Sequence, residues 1–431
     1  MYPTRRPFTN LPPVAKQNLL LAVVVILLVL MAVWVGVSNR LCANMGIDYC
    51  AYWTTGRLIN QFGYSHMYDL QLLANIQKTV YPQPFEVIPF PYPPLFALPF
   101  QALSLLPLWP SYLLWTAINA AALWWYLNFF AKKIAHRSMP VRLLFVALAC
   151  VPVFLNLLYG QLNIWLGICA GEFVRYLLLG KPQRAGWWLA GMLLKPQSLL
   201  LVVPILFVRR NWRALLGFAL GASALGLGSL ALAGVDGMRG LVSVVAGSAK
   251  GASASHFELM MNWRMLAWHA QSLLRQPWLG WAILLLGSLG TLAVLWQLLR
   301  APMFNLKGQA LANQPSASSE VILWLGVFAA TGAVTWHAHF SMAIMLLPLL
   351  LLLAAEGKIS DAWLAWWFYM PLVVLVVIFG VSLATKMGGL PPVFSQLVQL
   401  AAGVRGLALN CALLVWALRA ARSFNRPKPD Q

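Results

Sequence analysis

Among the ten acidic residues of this 431-residue chain, Asp48 is the one whose setting suggests chemistry. It lies in IDYCAYWTTGRLI, residues 47–59, the first polar stretch after a long apolar run. A carboxylate opening a short aromatic and amphipathic helix at a membrane surface is well sited to remove a proton from a molecule held at the lipid interface. Asp is also a favoured N-cap, so a purely structural role as the start of that helix stands beside the chemical one. Groups suited to an anion come much later. Arg264 carries paired donors that match phosphate oxygens, or else snorkels toward headgroups. Lys195 interrupts an apolar run, where a charge either serves function or stabilises a broken helix. His337 and His339, two residues apart, have the spacing of a metal pair but lack the acidic neighbours usual beside such ligands, which leaves a phosphate or sugar contact or a structural role.

The elements that must position these residues follow from composition. Hydrophobic residues make up 61% and charged residues 9%, with a mean hydropathy of +0.74. A soluble domain carries roughly 25% charge, so the expected class is an all-α, polytopic integral membrane protein with the lipid bilayer as a partner. The formal charge of +20 lies in short clusters between apolar runs, such as Lys132 and Lys133 or Arg209, Arg210 and Arg213. That pattern fits the positive-inside rule and speaks against nucleic acid.

Placing the clusters in the cytoplasm yields about ten full crossings, at 19–37, 111–130, 141–158, 161–179, 214–233, 278–299, 321–336, 340–353, 362–384 and 400–418. A basic segment precedes the first run and no small-residue cleavage site follows it, so that run reads as a retained anchor. The expected organisation is a cytoplasmic tail at 1–18, one membrane domain at 19–420 and a second cytoplasmic tail at 421–431. Residues 186–208 are interrupted by Lys195 and Pro196 and read as a broken, re-entrant pair of half-helices, because an interior proline removes a helical hydrogen bond. Residues 95–106 are too short to span and read as an interfacial helix. Outer segments 38–92 and 234–277, with the turns 159–161 and 337–339, bring the polar candidates to one face. Cys150, Cys169 and Cys411 read as packing residues. Cys42 and Cys50 flank Asp48 and are either a disulfide in an oxidising compartment or two thiols.

IDYCAYWTTGRLI, YSHMYD, FPYPPLFALPFQALSLLP, YGQLN, AGWWLAGMLLKPQSLLLVVPILFVRRNWRA, MMNWRMLAW and WHAHFSMAIMLLPLLLLL occur in that order. Together they resemble the family-87 glycosyltransferases, long catalogued as a membrane domain of unknown function, which include polyprenol-phosphate-mannose-dependent α-1,2-mannosyltransferases. The resemblance covers roughly residues 48–353. It implies a GT-C fold in a bacterial inner membrane, a site open to the periplasm or cell exterior, a polyprenyl-phosphate sugar donor, a glycolipid or glycan acceptor, and no metal or other cofactor. It also implies that the acidic residue of the first outer loop, here Asp48, is the general base.

An inverting transfer needs a base for the acceptor hydroxyl and cationic or hydrogen-bonding partners for the departing phosphate. Arg264, Lys250, His337, His339 and Lys195 are the candidates for the phosphate. Gln161, Asn163, Glu258, His256 and Asp69 are the candidates for sugar or acceptor hydroxyls. Gln161 and Asn163 equally suit a self-satisfied helix start, Asp69 a helix cap or loop anchor, and Glu258 an ion pair with a nearby cation. Glu172 and Arg175, three apart on one helix, read as a mutually neutralising pair.

Neither a DxD pattern nor a glycine-rich nucleotide loop occurs, which argues against a nucleotide-sugar donor. A transporter or lipid flippase is the rival class, but it usually places ionisable residues in several spans. A lipid-diphosphate-dependent glycan polymerase or ligase would share the topology, typically with an arginine-rich outer loop; segment 234–277 holds Arg239, Arg264 and Arg275.

Overall fold

The computed structural model describes residues 41–44, 47–82, 85–249, 260–301, 317–359, 381, 388–389 and 391–423. Lys250, His256 and Glu258 lie outside the described residues, as do the run 19–37 and, apart from Val381, the run 362–384. Among the described residues the chain is helical, with one isolated antiparallel bridge between Met260 and His339.

Three of the described helices are long and apolar enough to cross a bilayer, Trp212–Gly247, Pro277–Leu299 and Gln396–Ser423. A fourth span results if Val141–Leu148 and Val151–Tyr159, bent by 51°, count as one. Leu227 and Leu286, 66% and 67% exposed on the first two helices, would be costly in water and suit a lipid surround. Charge placement suggested more crossings than these. The expected span 321–336 is an 18-residue helix, Ala317–Val334. The expected span 340–353 opens as a 3-10 helix, Phe340–Leu346, before the short helix Leu347–Ala355. Hydropathy registers apolar content and does not distinguish 3-10 from α geometry, so neither difference was visible as composition.

The break at Lys195 falls at the expected residue. Helix Pro182–Gly191 tightens into a 3-10 turn, Met192–Leu194, and a second 3-10 turn, Pro196–Leu199, leads to Val202–Val208. Lys195 itself is extended, with φ −140° and ψ 83°, because the ring of Pro196 disfavours α geometry in the residue before it. Downstream, the Trp212–Ala249 helix turns at Gly234, whose φ of 65° a side chain rarely adopts.

The first polar helix, Ile47–Phe62, is held by aromatic packing. Tyr49 contacts Phe100, Tyr112 and Trp115, while Tyr52 contacts Phe90, Tyr92 and Phe100. Such ring pairs contribute about 0.5–1.5 kcal/mol each beyond burial. Gly56 lets helix Leu98–Leu103 approach closely, since an added Cβ would lie 2.1 Å from the Phe100 carbonyl oxygen. A Cys42–Cys50 disulfide ties the helix to the preceding turn, realising the bridged alternative. Further into the chain, Glu172 and Arg175 form the expected i,i+3 ion pair, with Tyr126 donating to Glu172.

Candidate active site

The site is assembled from five separated segments, and the first contact is set by a turn. Trp115 donates to the Gly160 carbonyl at 2.9 Å, and Tyr112 donates to the carbonyls of Leu157 and Leu158, so the end of helix Val151–Tyr159 is anchored on Leu108–Ala135. Gly160 follows with φ 69°, pressed so closely on Tyr49 that an added Cβ would come within 2.5 Å of the Tyr49 Cβ. This left-handed step explains the glycine of YGQLN. It delivers Gln161 to the Ile47–Phe62 helix, where its Nε2 donates to Asp48 Oδ2 at 2.5 Å.

Asp48 occupies the first turn of its helix, where the macrodipole favours a negative charge. Tyr52 and Tyr92 lie in the field of its carboxylate, with their hydroxyls 3.2 Å apart. Burial foremost, with a smaller push from the Asp48 charge, holds Tyr52, Tyr81 and Tyr92 above the ordinary phenol range, so all three remain protonated at neutral pH. The Lys195 ammonium also lies within electrostatic reach of Asp48 and is 8% exposed. A carboxylate and an ammonium thus lie within each other's field, the ammonium at the break that Pro196 imposes.

The cationic side is completed by two segments stapled to each other. Met261 N donates to the Ala338 carbonyl at 3.0 Å beside the Met260–His339 bridge. Asn262 accepts from Met265 N as the N-cap of helix Trp263–Leu274, and its Nδ2 donates to the Thr335 carbonyl at 2.9 Å. The Arg264 guanidinium then stacks on Trp336. His337 lies in the field of both Lys195 and Arg264. Burial first, then those two charges, lowers its imidazole to about 4, so it is neutral at pH 7. The His337 and His339 rings meet edge to face at 4.4 Å.

The structure therefore links Asp48, Gln161 and Asn163 by hydrogen bonds, and Lys195, His337 and Arg264 by their shared field. Asn163 donates to Gln161 Oε1 at 2.7 Å, while its own Oδ1 is buried with no hydrogen-bond partner among the described residues. Asp69 is placed differently: its Oδ1 accepts from Gln71 N and Leu72 N and caps helix Leu70–Gln77. Sequence reasoning missed Ser341, which donates to Gln161, along with Tyr52, Tyr92, Asn262 and Trp336. The Asn three residues before Met265 was a readable cap signal; the others depend on contacts between distant segments.

Chemically, the arrangement offers a carboxylate able to accept a proton, and two cations within electrostatic reach of a neutral imidazole, groups of the kind that suit an anion. The sequence profile of glycosyltransferase family 87 matches residues 90–314, a little over half of the chain. That stretch includes Gln161, Asn163, Lys195 and Arg264; Asp48, His337 and His339 lie outside it. No curated protein and no solved structure matches the chain.

Proposed function

Because the chain belongs to glycosyltransferase family 87, we propose that it transfers a sugar, mannose by family resemblance, from a polyprenyl-phosphate carrier to an acceptor hydroxyl. The acceptor is a glycolipid or glycan at the outer face of a bacterial inner membrane. In this reading the chain is multi-pass, both termini are cytoplasmic, and the crossings seen among the described residues belong to a GT-C bundle of about ten.

The observation that carries the reading is the hydrogen bond that tethers Asp48 to Gln161, with the buried Lys195 within electrostatic reach of Asp48 and both Lys195 and Arg264 within reach of His337. Asp48 takes the proton of the acceptor hydroxyl as that oxygen bonds to the anomeric carbon. The bond from anomeric carbon to phosphate oxygen breaks on the opposite face, and its electron pair leaves with polyprenyl phosphate, so configuration inverts. Lys195 and Arg264 neutralise the added phosphate charge, which stabilises the transition state more than the bound donor. The neutral His337 donates or accepts a hydrogen bond without a proton change. No step calls for a metal.

Transfer of labelled mannose from polyprenyl-phosphate-mannose into membrane acceptors, with wild type and Asp48→Asn in parallel and EDTA present, tests the reading. The expected result is incorporation that survives EDTA and disappears in the folded variant. Full activity of Asp48→Asn would reduce Asp48 to a helix-start residue and overturn the mechanism; dependence on a different lipid-phosphate sugar would replace mannose alone.

A further inference from the structure

The amide of Gln161 is fixed from both ends. Its Oε1 accepts from Ser341 Oγ at 2.5 Å and from Asn163 Nδ2 at 2.7 Å, and its Nε2 donates to Asp48 Oδ2. Turning the amide over would set its oxygen against the carboxylate and its NH2 against the Asn163 NH2, so a single orientation satisfies all three partners. Ser341 is 2% exposed and Asn163 is fully buried, which leaves little room for water to replace either donor. Ser341 lies 180 residues from Gln161, in the 3-10 helix that directly follows His339.

We propose that Ser341 is a positioning residue for the base: by locking the Gln161 amide it fixes the Asp48 carboxylate in one rotamer and favours its ionised form. A charge-assisted N–H donor stabilises a carboxylate over the acid, and it does so best when the donor has no alternative partner to rotate toward. The same serine couples the base to the anion-binding side, because its helix begins at the His339 end of the stapled segments that carry Arg264 and His337. For its effect on the carboxylate the inference rests on the hydrogen bonds alone; for its effect on turnover it rests on the proposed function.

Among the described residues, Lys195, between the two 3-10 turns, and the phenols of Tyr52, Tyr81, Tyr92 and Tyr159 also lie within electrostatic reach of Asp48. Ser341 donates to Gln161 rather than to any of these groups, and the Gln161→Met background tells whether a change in Asp48 titration passes through Gln161. The experiment is an infrared titration of the Asp48 carboxyl band in the detergent-solubilised full chain, isolated by subtracting Asp48→Asn, in wild type, Ser341→Ala, Gln161→Met and the double variant. Ser341→Ala is expected to raise the midpoint by about one pH unit. Gln161→Met should raise it at least as far, and adding Ser341→Ala to Gln161→Met should move it no further.

An unmoved midpoint in Ser341→Ala, or an equal shift in both backgrounds, overturns the inference, since the serine would then not act through Gln161. Transfer kinetics on the same proteins separate the two readings. Turnover falling in step with the shifted acid limb, at unchanged KM for the donor, supports both. A shifted midpoint with unaltered turnover keeps the positioning relation and removes Asp48 as the base.

Discussion

The Arg264 guanidinium lies 3.6 Å from the centroid of the Trp336 ring and donates to the Trp336 carbonyl at 3.2 Å, so one residue supplies both the face and the edge that orient it. Lysine keeps the charge but neither stacks as a plane nor presents paired donors. Arg264→Lys is expected to lower kcat/KM about 10- to 100-fold, the range for losing a hydrogen bond to a charged group, chiefly through KM for the donor. Trp336→Leu should act in the same direction by a smaller factor. Unchanged donor KM in both variants would remove Arg264 from the phosphate site.

Lys195 is charged, buried and held where Pro196 forbids helix, and Asp48 is the acidic group whose field it feels. Lys195→Met therefore removes the proposed phosphate partner and also a cation within electrostatic reach of Asp48. Transfer is expected to fall on the order of 100-fold or more, as for loss of a transition-state donor. The acid limb of kcat/KM should also move upward. Because the two residues act in one step, Asp48→Asn combined with Lys195→Met should lose far less than the product of the single losses. Multiplicative losses would show that Lys195 works elsewhere.

What could be read from residue types alone was the local chemistry. Asp48 stood out because acids are scarce, Lys195 because a charge followed by proline inside an apolar run is costly, and Arg264 because a guanidinium suits phosphate. The structure gives these residues a Gln161 tether, a buried position and a Trp336 platform in turn. Ser341 carried none: serine in an apolar run is unremarkable, and its partner is 180 residues away. Trp336 read as the end of a span, although its ring is a platform for Arg264. Asp69 read foremost as a loop anchor or helix cap, and the structure shows it as the cap of helix Leu70–Gln77. Span counting was the weakest part, because charge placement constrains sides of the membrane and not the helical geometry between them.

The C-terminal helix, Pro392–Ser423, seats the segments that carry Arg264 and His337 although it lies beyond the family match. An added Cβ at Gly406 would lie 2.7 Å from both Met261 Cβ and Phe340 Cζ, and Asn410 donates to the Met261 carbonyl at 3.3 Å. Gly406→Val must displace one of these segments. It should destabilise the protein by about 1–3 kcal/mol, the usual cost of overpacking, and raise KM for the donor through Arg264 and His337. Thermal unfolding and transfer kinetics measure the two effects; a variant with wild-type values in both would show that the contact is dispensable.

The Cys42–Cys50 bridge closes a short loop containing Asp48, and Cys50 is fully buried beside Tyr81. Replacing both cysteines by alanine should reduce stability by about 2 kcal/mol, near the low end for a short loop. Turnover should fall as well, since Asp48 would lose a constraint on its helical turn. Treatment of the native protein with reductant should act slowly, because the sulfurs are inaccessible until that turn opens. Rapid reduction without loss of activity would contradict both expectations.

His337 supplies a test of the electrostatic arrangement through pH. Burial and the charges of Lys195 and Arg264 set the folded imidazole at about 4, whereas an unfolded histidine titrates near about 6.5. Between those values the unfolded chain binds a proton that the folded chain refuses, so stability falls as pH drops through this window. Above about 6.5 both states are neutral and the residue adds no pH dependence; below about 4 both are protonated and the penalty no longer grows. His337→Asn has no such titration. Thermal unfolding midpoints in detergent should therefore decline less steeply from pH 7 to pH 4.5 in the variant than in wild type, with carboxylates such as Asp48 contributing to both curves alike. Lys195→Met should also flatten the wild-type decline in part, because removing a neighbouring cation lets the imidazole accept its proton nearer the ordinary pH. Parallel curves for wild type and His337→Asn would mean that His337 is not gathered with Lys195 and Arg264 in the folded protein, and the anion site would have to be drawn without it.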